Sequence, residues 1–229
     1  MSQTYTSNLL SKKTIARDMI ELVFSRPENF TFKAGQFVQF FIPQEMGEVL
    51  LRSYSISSHP EADQLEFCVK LIPNGKGSTF FSKLELMQPA TIRGPEGRFV
   101  CLPEHAPDKI FIATGAGLAP IISMISSEVD NEKNKQIYLL FGIRTEEDIF
   151  WLERFEHLKS EYENFDFNIT LSQPSEQWSG WKGRVTEHLP EVKDMANYYL
   201  CGSLGMVKDV RTLLTAKGVS MKSIHFEIF

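Results

Sequence analysis

Two stretches of this 229-residue chain carry residue types that can hold an anion and position a ring. Thr114-Gly115-Ala116-Gly117-Leu118-Ala119-Pro120 follows the apolar run 109–113 and opens a helix-like stretch. Glycines between a strand and a helix let the backbone approach a phosphate, and the helix N-terminus offers unbonded N–H groups at a positive dipole end. A pyrophosphate cradle is the chemistry such a loop supports. Pro120 stands where the third glycine of G-x-G-x-x-G would be, which suits a first helical turn. A ligand-free strand-to-helix turn would look the same from this segment alone.

The second stretch is in two pieces. Arg52-Ser53-Tyr54-Ser55 ends an apolar run, and Gly75-Lys76-Gly77-Ser78-Thr79 leads into a short helix that Ser78 or Thr79 could cap. Arg52 fits a pyrophosphate by charge-assisted hydrogen bonds, and the amides of Gly77 to Thr79 would bind the same anion. Tyr54 offers a face for an isoalloxazine ring, and Ser55 a hydroxyl for a flavin ring nitrogen. Together these residues look like a flavin site. Taken singly, Arg52 reads equally as an exposed arginine beside a structural tyrosine.

Other chemistries lack their residues. There is no G-x-S-x-G and no H-E-x-x-H, and His59, His105, His157, His188 and His225 stand at non-ligand spacings. Cys68, Cys101 and Cys201 are far apart with no C-x-x-C, so no metal, cysteine-ligated iron–sulfur cluster or disulfide framework is expected. Reduced thiols and the lack of any apolar stretch approaching about 18 residues lead us to expect a cytoplasmic protein without a membrane span. A net charge of −5 argues against nucleic acid as a partner. The charge is uneven: residues 1–103 carry 11 Lys+Arg against 10 Asp+Glu, and residues 104–229 carry 13 against 19.

The elements that position these residues change period along the chain. Runs at 19–24, 36–42, 51–56 and 65–71 have strand length and are separated by Gly, Pro and Asn turns, which suggests an antiparallel barrel or sandwich. Pro103 and Pro107 mark the expected boundary, with domains at 1–103 and 108–229. Beyond it, strands at 109–113, 137–142, 165–171, 198–201 and 224–226 alternate with helices at 120–129, 147–162, 185–189 and 206–216. That alternation predicts an open, largely parallel sheet with helices on both faces.

Arg52-x-Tyr54-Ser55, Gly77-Ser78-Thr79, Gly94-Pro95-x-Gly97-x-Phe99, Thr114-Gly115-x-Gly117-x-Ala119-Pro120, Phe141-Gly142-x-Arg144, Cys201-Gly202 and Glu227-x-Phe229 follow one another in an order that resembles the ferredoxin–NADP reductase family. The resemblance covers nearly the whole chain. It implies a two-domain β + α/β fold: an N-terminal antiparallel Greek-key barrel that holds FAD, and a C-terminal open parallel α/β domain that holds NAD(P)H. Hydride would pass between the cofactors across the interface.

By the same resemblance, Arg52, Ser53, Tyr54 and Ser55 contact the flavin, and Val69, Lys70 and Leu71 line it by their backbone. Lys76, Gly77, Ser78 and Thr79 hold its pyrophosphate. Thr114, Gly115, Ala116, Gly117 and Pro120 cradle the pyridine nucleotide. Ser55, Cys201 and Glu227 form the hydride pocket beside Gly202, and Phe229 covers the flavin ring. Ser172 and Gln173 stand where NADPH enzymes of the family read the 2′-phosphate with a Ser-Arg pair. Glutamine cannot make that charge-assisted pair, which favours NADH, although Arg144 and Arg184 could compensate unless Arg144 pairs with Glu146 or Glu147. The expected acceptor is a separate small redox protein: a ferredoxin, a flavodoxin or an oxygenase component. The alternatives are a reductase that uses free flavin as substrate and, less favoured, a non-catalytic flavin-binding subunit.

Overall fold

The computed structural model describes residues 3–102, 108–131, 135–192 and 196–229. Alternating residues of the N-terminal strands turn inward, and these strands are β1 (Gln3–Ala16), β2 (Met19–Ser25), β3 (Phe37–Pro43), β4 (Val49–Ser55), β5 (Gln64–Lys70) and β6 (Pro89–Glu96). They pair antiparallel in the order β4-β3-β6-β1-β2-β5. Ile56, just past β4, bridges to Phe67 on β5, and the Ser57 N–H donates to the Glu66 carbonyl at 2.8 Å. This bridge joins the two edge strands at one end and closes the sheet into a barrel. Ile20, Leu22, Phe24, Val38, Phe40, Phe67, Val69 and Ile92 fill the interior. Helix α1 (Lys76–Lys83) packs Phe81 edge-on against Phe40, with ring centroids 5.0 Å apart.

The second half forms six parallel strands, β7 (Asp108–Thr114), β8 (Ile137–Ile143), β9 (Phe165–Leu171), β10 (Trp181–Lys182), β11 (Ala196–Gly202) and β12 (Ile224–Ile228), in the order β10-β9-β8-β7-β11-β12. Alternate residues of β7 explain the layers. Phe111 and Ala113 face a cluster with α2 (Leu118–Asn131) and α3 (Leu152–Glu161), whereas Ile110 and Ile112 face α4 (Leu204–Ala216). Coverage on both faces is what lets β11 be buried along its whole length. The expected barrel plus open parallel sheet is therefore the observed fold.

Several local expectations need correction. No apolar run marks β1, whose only fully buried residues are Ser7 and Leu9, or β6, which contains Pro89, Gly94 and Pro95. Helix α1 starts after Gly75, not at Ser78 or Thr79, and the Ser78 hydroxyl instead accepts from the Ile72 N–H at 2.8 Å. The helix expected at 147–162 is broken. Thr145 and Asp148 cap a single turn at Glu146–Asp148, and Phe150 and Trp151 then turn inward before α3 begins. Trp151 has φ +59°, and its indole N–H donates to Glu21 of the barrel at 2.7 Å. Burying these two rings against the barrel overrides the helical period. The helix expected at 185–189 is one 3-10 turn, Val185–Glu187. Pro103, His105 and Pro107 lie outside the described residues.

The two halves share a core. Met19, Cys68 and Phe99 join the cluster formed by Phe111, Leu118, Met124 and Tyr199. The buried Ser123 hydroxyl donates to the Ser58 carbonyl across the junction at 2.7 Å.

Candidate active site between the barrel and the parallel sheet

A cleft of about 1080 Å³ runs along this junction. That is at or above the upper end of the roughly 300–1,000 Å³ of ordinary ligand pockets. One wall is the barrel: Arg52, Ser53, Tyr54 and Ser55 from the end of β4, Cys68 and Lys70 from β5, and Lys76, Gly77 and Ser78 from the start of α1. The other wall is made by ends of the parallel strands: Thr114 at the end of β7 and Gly115 to Gly117 after it, Arg144 after β8, Ser172 and Gln173 after β9, Arg184 after β10, and Gly202 of β11. Parallel sheets bind ligands at this carboxyl edge because the loops there diverge. Phe229 closes the cleft at the chain terminus.

The barrel wall suits an anion. The first intrahelical bond of α1 is from the Thr79 N–H to the Gly75 carbonyl, which leaves the amides of Lys76, Gly77 and Ser78 without helical acceptors. Arg52 is exposed, and among the described residues its guanidinium meets only its neighbour's carbonyl, Leu51, at 3.0 Å. Gly77 is needed for proximity, since a Cβ there would overlap the Tyr54 hydroxyl. The Tyr54 ring cannot retreat, being held edge-on against Phe40 at 5.7 Å and Phe81 at 5.0 Å. Burial raises the pKa of the Tyr54 hydroxyl, so it stays a neutral donor. An arginine fork, three free amides and a phenol fit the pyrophosphate and ring system of a flavin nucleotide.

The opposite wall is cut equally close. Gly115 has φ +54°, a conformation glycine adopts without strain. Gly117 lies against the end of β11: a Cβ on it would sit 2.5 Å from the Cys201 carbonyl carbon and 2.7 Å from the Gly202 nitrogen. A Cβ on Gly202 would in turn overlap the Thr114 hydroxyl, which is buried and has no hydrogen-bond partner among the described residues. Closely packed backbone with an orphaned hydroxyl beside it fits a second phosphate-bearing ligand.

Not every expected residue reaches the cleft. The Val69 side chain points into the barrel, and Leu71, Thr79, Pro120, Cys201 and Glu227 do not line the wall. Cys201 and Glu227 are register partners across β11 and β12, behind the wall. Burial raises the Glu227 pKa to about 7, and its Oε2 is buried without a hydrogen-bond partner among the described residues. Burial, and then the Glu227 charge, push the Cys201 thiol far above its usual range. Arg144 is free of the two acids considered for it, since Glu147 pairs with Arg17 and Glu146 accepts from the Ser175 hydroxyl at 2.6 Å.

The cleft is also lined by residues outside the sequence motifs, among them Met19, Cys68, Phe150 and Ser203. Met19 and Cys68 carried a usable signal. They are apolar residues on the outward face of barrel strands, a placement that implies something covers them.

Comparison with known proteins accounts for this architecture. Residues 6–101 match the oxidoreductase FAD-binding domain family and residues 111–212 the oxidoreductase NAD-binding domain family. A ferredoxin–NADP reductase B of Sorangium cellulosum is 32% identical over 241 residues, covering 99% of this chain and 98% of its own length. The xylene/toluene monooxygenase electron transfer component of Pseudomonas putida is 32% identical over 233 residues, and this chain spans 65% of its length. Among solved structures, a Neisseria gonorrhoeae ferredoxin NADP+ reductase with bound FAD and NADP superposes with a TM-score of 0.85 at 25% identity, covering 98% of both chains. An Amycolatopsis cytochrome P450 reductase gives a TM-score of 0.90 at 26% identity over all of this chain and 70% of that one. Matched over nearly its full length by a reductase of like size, this chain belongs to the ferredoxin–NADP reductase-like family and is a flavin-dependent NAD(P)H reductase.

Proposed function

We propose that the protein binds FAD on the barrel wall and NADPH on the sheet wall, and passes the electrons to a separate small redox protein. One observation carries this reading: both anion cradles, Lys76 to Ser78 and Gly115 to Gly117, open into the same cleft. Bound flavin supplies the chemistry, accepting hydride from the nicotinamide and releasing electrons onward. The chain's own residues bind and orient. Arg52 and the α1 amides anchor the flavin phosphates, and Ser55 stands at the ring. Gly117 and Thr114 seat the nucleotide, and Cys201 with Glu227 stiffens the floor on which the nicotinamide lands. Phe229 covers the ring until the nicotinamide replaces it.

The choice of nucleotide turns on three adjacent strand ends. The Gln173 N–H donates to the Arg144 carbonyl at 2.8 Å, and the Gly183 N–H, next to Arg184, donates to the Leu171 carbonyl at 2.8 Å. Arg144, Ser172, Gln173 and Arg184 therefore stand side by side. Gln173 alone favours NADH. Two guanidiniums with no carboxylate partner among the described residues outweigh one amide and favour a 2′-phosphate.

For the acceptor, the relatives matched include a monooxygenase electron transfer component. A barrel half of nearly balanced charge suits an acidic carrier better than the acidic half does. Anaerobic spectra of the purified protein, before and after one equivalent of NADPH or NADH, test the reading. Rapid bleaching of bound flavin by NADPH is expected. Protein that oxidises NADPH only with added free flavin would mean that flavin is a substrate, and bound flavin that neither nucleotide bleaches would remove the catalytic reading.

A further inference from the structure

We propose that Arg154 is a positioning residue for hydride transfer: with Trp151 it clamps β2 and β5 of the barrel and sets the gap between the two walls of the cleft. The inference rests on reading the cleft as the meeting place of flavin and nicotinamide.

Arg154 stands on α3 of the sheet half, yet both arms of its guanidinium reach the barrel. Its Nη2 donates to Glu21 Oε2 on β2 at 2.8 Å, and its Nη1 donates to Glu66 Oε2 on β5 at 2.8 Å. Glu21 Oε2 also accepts the Trp151 indole N–H, and the Arg154 guanidinium lies 4.7 Å from the Trp151 ring. One planar fork thus ties two neighbouring strands of one half to a helix of the other. All three charges are partly withdrawn from water, with side-chain exposures of 34% for Arg154, 15% for Glu21 and 26% for Glu66. Charge-assisted bonds in such surroundings resist the breathing that an exposed pair allows.

The clamp adjoins the cleft on both sides. On the barrel, Glu66, Cys68 and Lys70 alternate along β5 and share its outward face, and Cys68 and Lys70 line the cleft. Cys68 stands directly opposite Glu21 in the β2–β5 register and one side-chain step, about 7 Å, along β5 from Glu66, so the first wall residue adjoins both carboxylates of the clamp. On the sheet half, Trp151 follows Phe150, another wall residue, and holds φ +59° to make its turn. A rotation of α3 away from the barrel would therefore widen the cleft at Cys68 and Phe150. Hydride transfer depends steeply on donor–acceptor spacing, and a misplacement of about 1 Å can cost about 100-fold in rate. The clamp thus acts on rate more than on nucleotide affinity, because the phosphate cradles lie elsewhere.

The test uses the flavin-loaded protein and the variants Arg154→Met, Arg154→Lys and Trp151→Phe. The single-turnover rate of flavin bleaching at saturating nucleotide should fall about 10- to 100-fold in Arg154→Met, with nucleotide Kd changed less than about threefold. Arg154→Lys should recover part of the rate, and Trp151→Phe should lose a smaller share. Hydrogen exchange gives a readout independent of turnover: amides of β2, β5 and residues 149–154 should lose protection together in Arg154→Met. If that variant does not fold, the same two measurements on Trp151→Phe decide. Loss of protection with an unchanged bleaching rate would overturn the proposal by reducing the clamp to a structural tie, and unchanged protection would overturn it outright. Wild-type protein that no nucleotide bleaches would instead refute the reductase reading, a result distinct from either.

Discussion

Gly117 and Cys201 touch through their backbones. A side chain on Gly117 would have to displace the carbonyl carbon of Cys201, 2.5 Å from the ideal Cβ, or move the phosphate loop outward. Neither is a flexible side-chain end. Gly117→Ala should cost about 1–3 kcal/mol by overpacking and weaken NADP+ binding at least about tenfold, with flavin content preserved. Urea unfolding and nucleotide titration check both, and normal nucleotide affinity would show that the loop does not seat the phosphates.

Arg52 separates binding from stability. It is exposed and bonded only to the Leu51 carbonyl among the described residues, so Arg52→Ala should shift unfolding by less than about 0.5 kcal/mol. The same change should sharply reduce flavin retained through gel filtration. A fully yellow variant would take Arg52 out of the flavin site.

Glu227 predicts a pH dependence of defined sign. Burial raises its folded pKa to about 7 from an ordinary 4.5, so the folded state holds the proton more tightly than the unfolded chain. Its contribution is favourable below about pH 4.5 and declines as pH rises through about 7. Glu227→Gln removes this titration. The stability of Glu227→Gln relative to wild type should therefore increase between pH 5 and pH 8. A constant difference across that range would show that the carboxylate is not held protonated.

The Phe229 ring lines the cleft and is 54% exposed, while its N–H donates to the Gly202 carbonyl at 3.0 Å. The backbone is anchored and the ring is free to turn. If the ring must yield to the nicotinamide, Phe229→Ala should tighten NADP+ binding about tenfold by removing the cost of displacement. Equal affinities by titration would mean the ring does not compete.

All three thiols should be slow toward alkylation at pH 7.5. Burial is the largest cause that raises each of Cys68, Cys101 and Cys201, and a neighbouring glutamate adds to it in every case. Thiolate is the reactive form. A thiol titration of the native protein should give well under one fast equivalent and three after denaturation. A fast native equivalent would locate a thiol more open than this packing allows.

The class of the fold and the two glycine loops that open into the cleft were legible in the amino-acid sequence. Period-2 strands and βα alternation follow from which residues must be buried, Gly117 and Gly77 mark places where only glycine lets backbone and neighbour approach, and Gly115 takes a left-handed φ of +54° that glycine adopts without strain. Such signals are local, and they survive in a single sequence. Tertiary structure decided the rest because it joins residues far apart in the chain. Trp151 leaves the helical period because Glu21 lies across the junction, 130 residues away in sequence. Cys201 and Glu227 fall behind the cleft wall because parallel pairing of β11 and β12 puts them opposite one another. Among the described residues Arg144 pairs with neither neighbouring glutamate, because Glu147 meets Arg17 and Glu146 meets Ser175. No motif encodes which partner a charge will find, since that depends on which surfaces the closed barrel and the sheet bury against each other.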